Sequence, residues 1–112
     1  MRAYYLVKAK PLDEKLPDLR TWLDSGEISQ MRPFGRTLQH SLLNARLDSD
    51  GWALWEEEDY CQPPLAQERA AVLDEYFTNL SVTPVEEEAG WEKIARLPRL
   101  WQAKGVDHET KR

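Results

Sequence analysis

The chain contains a single cysteine, Cys61, so no internal disulfide can form and a reducing compartment is its natural setting. Long apolar runs are missing. Uncharged stretches such as 37–45 are broken by Gln, His, Ser or Asn, far short of the roughly 20 apolar residues a membrane helix needs. Around Arg2 and Lys8 there is neither an apolar signal core nor a small-residue cleavage site, which argues against secretion and for a cytoplasmic location. The glycines stand singly at Gly26, Gly35, Gly51, Gly90 and Gly105, so no phosphate-cradling loop is present. Histidine is scarce as well. His40 and His108, with one cysteine, fall short of the four ligands of a structural zinc site, and neither a metal nor a cofactor is expected.

Positive charge is in deficit. Fifteen basic against twenty acidic side chains leave a formal charge of -5, which opposes binding to a phosphate backbone. Only Arg32, Arg36, Lys93, Arg96 and Arg99 could gather into a local basic patch, and they form no run. Nucleic acid is therefore an unfavoured partner, although Tyr4, Trp52 or Trp55 would be its stacking platforms.

What is present suits one small domain: 112 residues, 41% hydrophobic and 31% charged. The expected domain covers 1–104, followed by a polar, disordered tail over 105–112. Residues 2–10 alternate as a strand that is apolar on both sides, stopped by Pro11. Over 17–24, Pro17 and Asp18 open a helix carrying the stripe Leu16, Leu19, Trp22 and Leu23, with Gly26 as its cap.

Residues 37–47 fit two periods. Phe34, Leu38, Leu42 and Ala45 recur at helical spacing, yet the segment also alternates as a strand. The turn Asp48-Ser49-Asp50-Gly51 and the aromatic strand beginning at Trp52 favour a hairpin, with 37–47 as its first arm and Leu43, Ala45 and Leu47 towards the core. After Pro63-Pro64, the stripe Leu65, Arg69, Val72, Leu73, Tyr76 and Phe77 predicts a helix through Leu80. Residues 81–85 form a β-branched closing strand, and 88–97 a short terminal helix.

The resulting order is that of an α+β, ferredoxin-like βαββαβ plait with an additional short C-terminal helix. Helices on one face would leave Tyr4, Leu6, Leu38 and Leu42 on the other. Covering such an apolar face is the reason to expect a homodimer.

The run Glu56-Glu57-Glu58-Asp59 is the most unusual feature of the chain. As a strand it sends Glu56 and Glu58 one way and Glu57 and Asp59 the other, so only alternate carboxylates share surroundings. With Tyr60, Trp52 and Trp55 it suggests a non-catalytic interaction module whose acidic and aromatic surface binds a basic protein partner. Glu86-Glu87-Glu88 would extend that acidic edge. The alternative is a small enzyme or ligand-binding protein with a pocket near His40, for which Arg36, Glu56 and Tyr5 are the other polar candidates.

Overall fold

The computed structural model describes residues 3–106. Its centre is strand β1 (Ala3–Pro11), apolar enough on both sides to be enclosed by neighbours. β1 pairs antiparallel with β3 (Ala53–Asp59) and with β4 (Phe77–Val85), while the two-residue β2 (Arg46–Leu47) adds to the outer edge of β3. The domain is thus a mixed α+β globule with a four-stranded antiparallel sheet ordered β2-β3-β1-β4.

Helix α1 (Leu16–Ser25) forms where Pro17 and the Leu16, Leu19, Leu23 stripe predict it. It stops at Gly26, whose φ of 86° suits a residue without Cβ and whose amide donates to the Leu23 carbonyl. A helix over 66–76, here α3, contains a π-helical turn at Arg69–Leu73. Two short helices follow β4: α4 (Ala89–Ile94) and α5 (Leu100–Ala103).

One sheet face carries Val7, Ala9, Ala53 and Trp55, all fully buried. Leucines of α1, Leu65, Val72 and Leu73 at α3, and Leu100 and Trp101 of α5 close the core over that face. The Trp101 indole also donates to the Leu42 carbonyl at 2.8 Å. No helix among the described residues is long and apolar enough to cross a membrane.

Three expectations need correction. Residues 35–43 are not a strand but helix α2 (Gly35–Leu43), leaving only Arg46–Leu47 as the first arm of the hairpin. The reason is the Phe34, Leu38, Leu42 stripe: Leu38 and Leu42 are completely buried, whereas a strand would have set both on the face away from the core. The turn itself is correct. Asp48 Oδ1 accepts from the amides of Asp50 and Trp52, both at 2.9 Å, and joins two antiparallel segments.

Secondly, α3 ends at Tyr76 rather than Leu80. Phe77 turns to φ −136°, and 77–85 extend as β4, where Thr78, Val82 and Thr83 suit a pleated edge. Thirdly, the sheet face opposite the core is not left open as an apolar surface. Leu38 and Leu42 belong to the core, and α4 folds back over β3 and β1 on that side. Of the expected tail, Gly105 and Val106 are described, with Val106 half-buried against the core; 107–112 lie outside the described residues.

Candidate functional site

The acidic run forms most of β3, and the pleat separates its side chains as the two-residue period requires. Glu56 lies opposite Leu6 and Glu58 opposite Tyr4, on the face away from the core. Glu57 and Asp59 point to the core side. The solvated acidic strand expected here is not what forms: Glu56, Glu57 and Asp59 are at most 4% exposed, and only Glu58 is half-buried.

Glu56 is a clamp on the segment that enters α4. Its Oε1 accepts from the Gly90 amide at 2.7 Å and from the Trp91 amide at 3.3 Å, while Oε2 accepts from the Glu88 amide at 2.9 Å. A carboxylate bonded to several backbone amides is well compensated for its burial. Gly90 is what allows the approach, because a Cβ there would stand 2.9 Å from Glu56 Oε1. The strand is fixed from its outer edge too, the Ser41 hydroxyl donating to the Glu56 carbonyl at 2.7 Å.

Beside this clamp lies a cleft of about 290 Å³ between α2, β3 and α4. Arg36, His40, Glu56, Glu58, Glu88 and Trp91 are among its walls. His40 meets the Trp91 ring edge-on, with centroids 6.1 Å apart. An adjoining hollow of about 410 Å³ shares His40, Glu88 and Trp91, and a depression of about 950 Å³ beyond the other end shares Arg36 and adds Arg32. Three of the four polar candidates read from sequence, Arg36, His40 and Glu56, therefore share one cleft. Tyr5 does not join them. It pairs with Glu57 and packs on the core side, and Tyr4 takes the place facing the cleft.

A second cluster lies on the core side of β3. Glu57 and Asp59 meet Glu68 of α3, a fully buried carboxyl on the apolar side of its helix. Among the described residues no lysine or arginine forms an ion pair with any of the three. Burial therefore pushes Glu57 well above the usual carboxyl range, against the lowering effect of the Trp55 indole that donates to it at 2.9 Å. Glu68 rises from 4.5 to about 7, first because of burial and then because it adjoins Asp59. Asp59 goes the other way. Burial works to raise it, but the Leu65 amide at 2.6 Å, the Glu68 carboxyl and the Cys61 amide at 3.1 Å hold it lower. Glu57 Oε2 and Glu68 Oε2 are buried without a donor. The Cys61 thiol lies 3.9 Å from Glu68 Oε1, its own acidity weakened chiefly by burial.

The aromatic candidates disperse. Trp55 is core, Trp52 lies under the ammonium groups of Lys8 and Lys10 at 4.8 and 5.0 Å, and Tyr60 is 60% exposed. Of Glu86 to Glu88, Glu88 reaches the acidic strand: its backbone amide donates to Glu56, and it lines the cleft together with Glu58. Sequence reading missed Glu68 and Trp91. Glu68 had a legible signal: it is three residues after Leu65 and four before Val72, so a charge sits on the stripe that faces the core. No family model, curated protein or solved structure matches this chain.

Proposed function

We propose that this domain is a small ligand-binding protein whose site is the cleft between α2, β3 and α4, and that it takes a small zwitterion. The observation that carries this reading is the division of charge across the cleft: Arg36 comes from α2, with His40 as a polar neighbour, while Glu58 and Glu88 come from the other walls. An anionic end would meet the Arg36 side, towards Arg32, and a cationic end the carboxylates. The Trp91 ring offers an apolar wall, and Glu56, occupied by backbone amides, holds the site's shape rather than the ligand. The strand order and the helical connections after β1 and β3 support a ferredoxin-like plait as the scaffold, and the free thiol of Cys61 suits a cytoplasmic setting.

The test is a thermal-shift and NMR screen of the full chain against amino acids, amino-phosphates and their neutral analogues. Zwitterions should raise the melting temperature, and Arg36→Ala should weaken them about 10- to 100-fold. Arg36 is exposed, so its loss should leave the fold intact. Binding that ignores both Arg36→Ala and His40→Ala would sink the reading.

A homodimeric, protein-binding module is the second reading. Its original support, an open apolar face, is taken by α4. What favours it now is β4, a nine-residue strand at the sheet edge, together with exposed Tyr60. Light scattering across a dilution series separates the two readings: a monomer at every concentration removes the dimer.

A further inference from the structure

We propose that Asp59, Cys61 and Glu68 form a binding site for a divalent transition-metal ion of the zinc type. One ligand atom from each lies within 4.8 Å of the others. Around a tetrahedral zinc ion, sulfur and oxygen ligands stand about 3.6 Å apart, given bond lengths of about 2.3 and 2.1 Å. The 3.9 Å between Cys61 Sγ and Glu68 Oε1 needs only a small contraction to reach that. A thiolate in the set selects against magnesium and calcium, which prefer more oxygens, and towards zinc or cobalt.

Acidic residues beside a cysteine are not by themselves a site. The independent observation is Glu68 Oε2, an oxygen of a fully buried side chain that finds no hydrogen-bond partner outside the acidic cluster, with Glu57 Oε2 in the same condition. Three carboxyls in contact with no basic side chain paired to them hold protons when empty, and a doubly charged ion is the electrostatic complement of the set once those protons are released. Local structure already orients the ligands. Leu65, held at φ 65° with its side chain buried, aims its amide at Asp59, and the Cys61 amide does the same. Glu57, in contact with Glu68, or a water would complete four ligands. A cavity of about 40 Å³ bordered by Asp59, Cys61 and Glu68 gives room for the ion, and half-buried Cys61 lies on its approach.

The test uses the whole chain, reduced and freed of metal, titrated with Co²⁺ and followed by absorption, with native mass spectrometry for stoichiometry. Cys61 is the sole thiol, so any thiolate-to-cobalt charge-transfer band belongs to it. One ion per chain, a charge-transfer band and its loss on adding Zn²⁺ are expected. Glu68→Gln should weaken binding about 100-fold, and Cys61→Ser should abolish the band, with circular dichroism reporting the fold of each variant. Absence of the band in the unmodified chain overturns the proposal without reference to any variant. So does a band that survives in folded Glu68→Gln with unchanged affinity. In either case the cluster holds protons rather than metal.

Discussion

At the scale of single residues, the informative feature is a pair of carboxyls, Glu57 and Glu68, that the fold buries without a counter-charge. A carboxyl with a raised folded pKa binds protons more tightly in the native state than in the unfolded one. Glu68 therefore stabilises the metal-free fold below pH 4.5 and loses that contribution as pH rises towards about 7. Glu57 acts in the same direction. Asp59, held low, acts oppositely, and only as pH falls below its ordinary value of 3.8. Urea unfolding in the presence of a chelator should show stability falling between pH 5 and 7, by up to about 3 kcal/mol from Glu68. Glu68→Gln should flatten that slope. An unchanged slope in the variant would mean that the group is ionised throughout the range.

At the scale of elements, α2 decides how the chain folds beyond its first strand. A leucine buried completely on its inner stripe is worth more than its helix propensity, so Leu38→Ala should destabilise the domain by about 2–5 kcal/mol, read by urea denaturation. A much smaller loss would indicate that the stripe is not seated in the core. This element also marks the limit of what the residues alone reveal. The turn at Asp48, the first strand, α1 and the alternation along β3 follow from local chemistry, and all four are found. The choice between helix and strand over 37–47 depends on where Leu38 and Leu42 find partners, and those partners come from distant parts of the chain. Likewise the run at Glu56 was visible, but its burial depends on Glu68 and Gly90, nine or more residues away along the chain. The end of α3 at Tyr76 is set by the pairing of Phe77 with Pro11, which no periodicity within 65–80 encodes.

At the scale of the whole molecule, the segment after β4 completes the domain from both sides. Leu100 and Trp101 enter the core beneath the sheet, while Gly90 and Trp91 are gripped by Glu56 above it. A chain truncated after Val85 should therefore lose cooperative unfolding, seen as a broad thermal transition and strong binding of an apolar dye. A sharp transition near that of the full chain would show that 86–106 is an appendage.

A strand that serves the outer cleft with every second residue and the inner cluster with those between cannot change length freely. Deleting one residue ahead of Glu56 would swing each carboxylate through half a turn, turning Glu56 and Glu58 inward and Glu57 and Asp59 out. The two places are thus mechanically keyed to one another. Point replacement can retune either one alone, but an insertion or deletion within β3 must disturb both at once.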